Sequence, residues 1–323
     1  MGFGLEAGVG GISEGSIGVG APRWGSYIAI GDSVTEGLCD PYPSADTSQV
    51  NSEISRESDQ NPNPQGANSG ISDRYRGWAD RLAEILSARR LAAGLPALEY
   101  ANLAIRGRLL GPIIEEQLPA AIEQKPALIS LLGGGNDVLR PKADIDALAT
   151  KLETAVEQIH AAGIDVLLGT GFKAGGRLRF TRGRTGPLNA TIWSIARRHG
   201  AYVMDNWGVK SLYDYQMFAD DLIHPNSTGH ARMANAALVG LGLEPTEPNW
   251  DVMLPPKPAA PIVPESRVPA ALQPRFESLR ADARWARDFA GPWVERRVTG
   301  KSTGDGLEPK VPTLRPWYPV GNT

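Results

Sequence analysis

The chain has only one cysteine, Cys39, and no long hydrophobic run among its 323 residues. A single cysteine excludes an internal disulfide and is typical of proteins from a reducing compartment. No stretch reaches the roughly 18 consecutive apolar residues that a membrane-spanning helix needs. The first 25 residues lack a basic start followed by a continuous apolar core, which a secretion signal would have. We therefore expect a cytoplasmic protein without a membrane span.

The chain also lacks a strong charge of either sign. It carries 33 Lys and Arg residues against 36 Asp and Glu residues, for a net charge of −3 at pH 7. This balance gives no general electrostatic reason to bind nucleic acid. A hydrophobic fraction of 41% is typical of a globular protein with a substantial core. Nucleic acid is therefore not an expected partner.

Composition divides the chain into four parts. Residues 1–24 are rich in glycine and predict a flexible tail. Residues 25–244 form the expected main globular domain, with a long polar insertion at 41–73 that predicts a mobile loop or lid. Residues 245–270 hold closely spaced prolines and predict a linker. Residues 271–323 are rich in arginine and predict a helical extension suited to contact with a protein partner.

Strand and helix patterns alternate along residues 25–244. Short β-branched or apolar runs predict buried strands, and apolar residues at 3.6-residue spacing predict helices between them. The predicted strands begin at residues 26, 97, 127, 164 and 202. Strands that alternate with helices indicate a parallel sheet covered on both faces. The predicted fold is a three-layer α/β/α sandwich around a five-stranded parallel sheet.

Ser33 follows the first predicted strand in the turn Gly31-Asp32-Ser33. In open α/β sheets, ligands bind beyond the carboxyl ends of the strands, so this hydroxyl is a candidate nucleophile. The same three residues are also common in ordinary turns. A serine needs a base, an orienting group and an oxyanion hole before it becomes a nucleophile.

Four histidines are the whole supply of imidazole bases. His160 lies three residues before Gly163, and His199 lies directly before Gly200, which indicates a structural role for both at a helix C-terminus. His230 lies inside a predicted helix. His224 follows Asp221 by three residues in a polar loop, where the carboxylate can accept the imidazole N–H and fix the tautomer. The adjacent Asp220 competes with Asp221 for this role, although its spacing is less favourable.

Two further turn residues are candidate oxyanion donors. Gly107 follows the second predicted strand, and Asn136 follows the third. A backbone N–H at a tight turn and a side-chain amide are both donors that stabilise developing negative charge. Each residue is also common in turns without any catalytic role.

Four segments together resemble the four sequence blocks of the SGNH hydrolases, also called the GDSL esterase/lipase family. They are Gly31-Asp32-Ser33, Asn102-Leu103-Ala104 with Gly107, Gly134-Gly135-Asn136-Asp137, and Asp221-Leu222-Ile223-His224. The resemblance covers roughly residues 27–243. The chain departs from the family at Val34, where leucine is usual.

The resemblance implies a flavodoxin-like fold and a serine hydrolase of carboxylic esters that needs neither a metal nor an organic cofactor. By position, Ser33 would be the nucleophile, His224 the base and Asp221 its orienting residue. The backbone N–H groups of Ser33 and Gly107 and the amide of Asn136 would form the oxyanion hole. A short-chain esterase or a deacetylase fits these residues, and so does an acyltransferase.

Two other interpretations use different features of the chain. Cys39 could serve as a nucleophile, although a lone cysteine is more often an inert apolar residue. The α/β domain could also be a scaffold without catalytic activity that presents the arginine-rich C-terminal helix to a protein partner. The joint presence of nucleophile, base, orienting carboxylate and amide argues against a scaffold, which has no use for the complete set.

Overall fold

A computed structural model describes residues 22–42, 75–256, 283–291 and 302–319 of the chain. The strands are β1 (Ser26–Gly31), β2 (Leu98–Asn102), β3 (Leu128–Leu132), β4 (Asp165–Gly169), β5 (Tyr202–Met204) and β6 (Val311–Trp317). The α-helices are α1 (Ser33–Glu36), α2 (Gly77–Ala92), α3 (Leu110–Pro112), α4 (Leu118–Glu123), α5 (Gly135–Val138), α6 (Ile145–Ala161), α7 (Arg182–His199) and α8 (Ser227–Gly240). A π-helical turn, Ile113–Gln117, joins α3 to α4.

In the described residues the strands form one sheet in the order β5-β4-β3-β1-β2-β6. The first five strands run parallel, which confirms the predicted sheet and the α/β/α fold class. Since β1 lies between β2 and β3, the loops after these three strands emerge side by side at one edge. This edge is where the candidate site residues were expected to meet.

The predicted count of five strands needs correction, because the C-terminal extension contributes a strand in addition to a helical segment at residues 283–291. β6 pairs antiparallel with β2 and forms a sixth, edge strand, with an irregularity between Tyr100 and Asn102. Pro312 and Pro316 lie within β6, and proline cannot donate a ladder hydrogen bond. An edge strand tolerates such residues because one of its sides needs no pairing partner. Because of the same prolines, the sequence pattern of β6 does not predict a strand.

Two hydrophobic clusters cover the two faces of the sheet. Successive residues of β1 alternate between them: Ile28 and Ile30 face α6 and α7, whereas Tyr27 and Ala29 face α2 and α8. This alternation follows from the two-residue period of a strand. Residues on both sides of β1 are fully buried. The strand that leads to Ser33 is therefore fixed by packing on both faces.

Trp24, one residue before the predicted boundary at residue 25, packs with the α/β domain. Trp24 is buried, and its indole N–H donates to Asp165 at 2.7 Å. The rest of the predicted tail, residues 1–21, lies outside the described residues. So do residues 43–74, which include most of the predicted insertion at 41–73, and residues 257–282, which include most of the predicted linker. Among the described residues, no helix combines the length and apolar character needed to cross a bilayer.

Candidate active site

Ser33 is the first residue of α1, directly beyond the end of β1. Asp32 caps this helix, since its Oδ1 accepts the backbone N–H of Val34 at 3.1 Å. Gly31 permits the tight turn because a Cβ there would lie 2.5 Å from the carbonyl oxygen of Leu132. The amide of Gln117, on the π-helical turn, bonds both the N–H and the carbonyl of Gly31. The backbone before the serine is thus held on several sides.

Asp221 and His224 lie in the loop before α8. Asp221 Oδ1 accepts the backbone N–H groups of Ile223 and His224 at 2.9 and 3.0 Å. Its Oδ2 lies 2.5 Å from His224 Nδ1. The backbone between them contains Leu222 in the left-handed region, with φ of 61°. This turn aims the carboxylate back at the imidazole.

His224 connects this loop to Ser33. Its Nε2 lies 2.8 Å from Ser33 Oγ, although the two residues are 191 positions apart in the chain. With Nδ1 hydrogen-bonded to Asp221, Nε2 is the nitrogen that can accept the serine proton. Hydroxyl, imidazole and carboxylate therefore form one continuous hydrogen-bonded chain. Asp220, the competing carboxylate, takes no part in these contacts.

The electrostatics of the site differ between its two aspartates. Burial tends to raise the pKa of Asp221, but hydrogen bonds and the charge of His224 outweigh it and hold the pKa below its ordinary value. Burial raises the pKa of Asp32 to about 6, with only partial relief from the Val34 N–H and from His224. Asp221 is therefore the carboxylate that stays ionised beside the imidazole.

Asn136 lies in α5, at the end of β3. Its Nδ2 donates to the carbonyl of Arg108 at 3.0 Å and lies 3.4 Å from Asp32 Oδ2. Asn136 and Ser33 line the same cavity.

Gly107 is placed differently from Asn136. It has φ of 75° and lies in the loop after β2, where Arg106 forms an ion pair with Glu36 of α1. A Cβ at Gly107 would lie 2.5 Å from Ser302 Oγ. Gly107 is not among the residues that line the cavity, and neither are Asp221 and His224. Hydrogen bonds join Ser33, His224 and Asp221, and Asn136 lines the cavity beside Ser33. The loop that carries Gly107 contacts α1, the helix of Ser33, through the pair of Arg106 and Glu36.

A cavity of about 130 Å³ opens beside Ser33. Most of its wall is apolar. The apolar side chains are Val34, Leu132, Val138, Leu139, Phe172, Ala174, Leu178, Leu212, Phe218, Leu222 and Ile223. The polar side chains are Asp32, Ser33, Asn136, Thr181, Thr185, Tyr213 and Tyr215. A mostly apolar wall beside the Ser33 hydroxyl suits an apolar chain that carries its reactive group next to that serine.

The other three histidines have structural partners or positions. His160 and His199 lie in the last turns of α6 and α7, as predicted. His199 Nε2 also lies 2.9 Å from Glu153. His230 is fully buried, accepts the N–H of Trp78 at 3.1 Å and donates to the carbonyl of Leu38. Burial lowers the pKa of His230 to about 4, so it stays neutral.

In the described part of the chain, two groups of side chains have donor atoms close enough to share a metal ion. One group is Cys39, Asp221 and His224, and the other is Glu153, Glu157 and His199. In the first group the imidazole and the carboxylate are already bonded to each other. Burial raises the pKa of the Cys39 thiol to about 12, which disfavours the thiolate needed for nucleophilic attack or ligation.

Sequence reasoning missed Trp285. Its indole N–H donates to the carbonyl of Asp221 at 2.9 Å. No spacing rule links two residues that lie 64 positions apart on either side of a proline-rich stretch. The sequence suggested Cys39 only as an independent nucleophile. No sequence pattern predicts that Cys39 lies close to Asp221 and His224.

Comparisons with known proteins point to one family. Residues 29–232 match the sequence profile of the GDSL-like Lipase/Acylhydrolase family. A search of curated proteins finds no match. The fold is similar to LAE5, an alpha/beta hydrolase enzyme from the metagenome of Lake Arreo, Spain, with 21% identity, coverage of 69% of this chain and 96% of that chain, and a TM-score of 0.51.

A second solved structure is similar to the same extent. Axe2, an acetylxylan esterase from Geobacillus stearothermophilus, shares 22% identity, with coverage of 70% of this chain and 97% of that chain and a TM-score of 0.51. At such identities both likenesses establish the fold alone. The profile match, at residues 29–232, lies within the α/β domain.

Proposed function

The chain belongs to the GDSL-like Lipase/Acylhydrolase family and is a carboxylic ester hydrolase, and from this premise we propose that Ser33 is its nucleophile. His224 is the general base in this proposal, and Asp221 orients the imidazole. The observation that carries the proposal is the pair of contacts at His224. One ring nitrogen lies 2.8 Å from Ser33 Oγ, and the other lies 2.5 Å from Asp221 Oδ2.

The first half of the proposed reaction forms an acyl-enzyme. Ser33 Oγ attacks the ester carbonyl carbon while His224 Nε2 accepts the hydroxyl proton. The ionised Asp221 stabilises the resulting imidazolium. Collapse of the tetrahedral intermediate breaks the bond to the alcohol, and His224 donates its proton to the leaving oxygen.

The second half releases the acid. A water molecule takes the place of the alcohol and gives a proton to His224 as its oxygen attacks the acyl carbon. Collapse of the second tetrahedral intermediate returns that proton to Ser33 Oγ. The products are one alcohol and one carboxylic acid for each water consumed, and the enzyme returns to its starting state.

Three donors are proposed for the oxyanion hole. The backbone N–H of Ser33 belongs to the first residue of α1, and Asn136 lines the same cavity as Ser33. Gly107 N–H is the third donor by family position. We expect each of the three donors to contribute to oxyanion stabilisation.

The cavity supports a short acyl group as the preferred substrate. An apolar protein cavity of about 150 Å³ is large enough to hold benzene. The cavity beside Ser33 measures about 130 Å³ and has mostly apolar walls. An acyl chain of up to about six carbons therefore fits, and both acetyl and butyryl esters are substrates in this proposal.

A panel of p-nitrophenyl esters with acyl chains of 2, 4, 6 and 12 carbons tests both parts of the proposal. We expect Ser33→Ala to abolish turnover of every ester. Ser194→Ala, an exposed serine on α7, is the matched control and keeps wild-type rates. Wild-type turnover by Ser33→Ala would refute the assignment of the nucleophile. A preference for the 12-carbon ester would refute the short acyl pocket.

A further inference from the structure

A short helical segment at residues 283–291 contacts the loop that carries Asp221 and His224. It lies beyond residue 232, where the family match ends. The half-buried Trp285 donates its indole N–H to the carbonyl oxygen of Asp221 at 2.9 Å. The C-terminal extension therefore contacts the site through the backbone next to the orienting carboxylate.

Trp285 also contacts a second segment that contributes residues to the cavity wall. The Arg177 guanidinium lies 5.6 Å from the centre of the indole ring, a cation–π geometry. Arg177 belongs to the 3-10 helix Gly176–Thr181, in which Leu178 and Thr181 line the cavity. Leu222 and Ile223 line it from the loop on the other side. Trp285 therefore contacts two separate segments whose residues line the cavity.

The carbonyl that Trp285 contacts belongs to a strained peptide unit. The next residue, Leu222, has φ of 61°, a conformation that is unfavourable for a residue with a branched side chain. The N–H of the same peptide, on Leu222, donates to the carbonyl of Ala219 at 2.9 Å. A peptide flip that relieved the strain at Leu222 would turn the Asp221 carbonyl away from the indole and break both contacts.

We propose that Trp285 is a positioning residue for the catalytic pair. Its indole N–H holds the Asp221–Leu222 peptide in the orientation that directs the Asp221 carboxylate at His224. The stacked Arg177 keeps the indole in place. This inference rests on the proposed roles of Asp221 and His224. It predicts an effect on kcat rather than on KM, because Trp285 acts on the catalytic pair and is not itself part of the cavity lining.

Trp285→Phe is the test variant, because it keeps an aromatic face for Arg177 and removes only the donor. Loss of a neutral hydrogen bond changes an equilibrium by about 3- to 10-fold. We expect kcat for p-nitrophenyl butyrate to fall by about this factor, with KM within twofold of wild type. Trp193→Phe, an exposed tryptophan on α7, is the matched control and leaves kcat unchanged.

Leu222→Gly distinguishes positioning from mere packing. Glycine adopts φ of 61° without strain, so the peptide needs less restraint from Trp285. In the Leu222→Gly background we expect Trp285→Phe to lower kcat by less than twofold. A purely structural tryptophan would lower thermal stability and leave kcat at 25 °C unchanged, or would lower kcat equally in both backgrounds. Either result overturns the inference.

The two proposals fail in different ways. If Ser33→Ala retains full activity, the proposed function itself is wrong. If Ser33→Ala is inactive and Trp285→Phe has the wild-type kcat, only the role of Trp285 is wrong. Should Trp285→Phe fold poorly, kcat per active site, titrated with a fluorophosphonate, still reports the positioning effect on the folded fraction.

Discussion

At the scale of single residues, Asn136 provides the clearest test of oxyanion stabilisation. Its amide donates to the Arg108 carbonyl, and the residue lines the cavity beside Ser33. Removal of one oxyanion donor costs about 10²- to 10³-fold in kcat. We expect Asn136→Ala to show a loss of this size in steady-state assays, with a much smaller change in KM. A loss below about tenfold would remove Asn136 from the oxyanion hole.

Asp32 carries a separate, pH-dependent prediction. Burial raises its pKa in the folded protein to about 6, from an ordinary value of 3.8. Between these two values the folded state binds a proton that the unfolded state does not, so the free energy of unfolding falls as pH rises through this window. We expect wild type to be more stable at pH 5 than at pH 8 by on the order of 1 kcal/mol from this group.

Asp32→Asn is the variant that isolates this contribution. Asparagine can also cap α1, but it does not titrate. Urea unfolding of both proteins at pH 5 and pH 8 measures the difference. We expect the free energy of unfolding of wild type to be higher at pH 5 than at pH 8 by the contribution of Asp32. We expect Asp32→Asn to lack this contribution. Parallel behaviour across this range would show that Asp32 is not desolvated as the structure indicates.

The candidate catalytic residues were predictable from the sequence, but their surroundings were not. His224 and Asp221 were selected because their spacing of three residues permits a local hydrogen bond, and the structure contains that bond. The contact between His224 and Ser33 depends on tertiary folding and was expected only from the family resemblance. Trp285 and Gln117 contact the site from positions far away in the sequence, and no local sequence pattern predicts these contacts.

At the scale of secondary-structure elements, periodicity predicted the five parallel strands and the long helices. The π-helical turn Ile113–Gln117 was not predicted, since its sequence continues an ordinary helical pattern. β6 was missed because Pro312 and Pro316 contradict a central strand and only tertiary structure shows that this strand lies at an edge. In both the π-helical turn and β6, tertiary contacts rather than local sequence propensity determine the secondary structure.

Packing of α8 on the sheet gives a prediction at this scale. A Cβ at Gly240, in the last turn of α8, would lie 2.2 Å from the carbonyl oxygen of Val203 on β5. Overpacking of this kind costs about 1–3 kcal/mol. We expect Gly240→Ala to lower the free energy of unfolding by about this amount, as measured by urea denaturation.

Gly183→Ala is the matched control for Gly240→Ala. Gly183 lies in α7, and a Cβ there would have no neighbour within 4 Å. Because alanine has a higher helix propensity than glycine, this variant should be as stable as wild type or slightly more stable. An equal loss of stability in both variants would contradict the close approach of α8 to β5.

At the scale of the whole molecule, the C-terminal segment is part of the α/β domain rather than an appendage. β6 extends the sheet beside β2, and Lys310 inserts its ammonium group next to the buried Asp80 at 2.8 Å. Asp80 also accepts the hydroxyl groups of Tyr42 and Tyr100. Residues from three distant parts of the chain therefore meet at one buried carboxylate.

Lys310→Met should destabilise the fold strongly. It leaves Asp80 buried without its cation, and breaking a buried ion pair on one side costs about 3–5 kcal/mol. The added substitution Asp80→Asn should restore part of this loss. Lys151→Met, at an exposed pair with Glu115, is the control and should change stability by less than about 1 kcal/mol. Equal effects at the two lysines would show that Lys310 is not buried against Asp80.

The central claim is that His224 activates the hydroxyl of Ser33. Labelling with a fluorophosphonate probe, followed by peptide mass spectrometry, tests it most directly. The wild-type enzyme should carry the label on Ser33, and His224→Ala should be labelled at least about 10³-fold more slowly. A label on any other residue, or a wild-type labelling rate in His224→Ala, would contradict the claim.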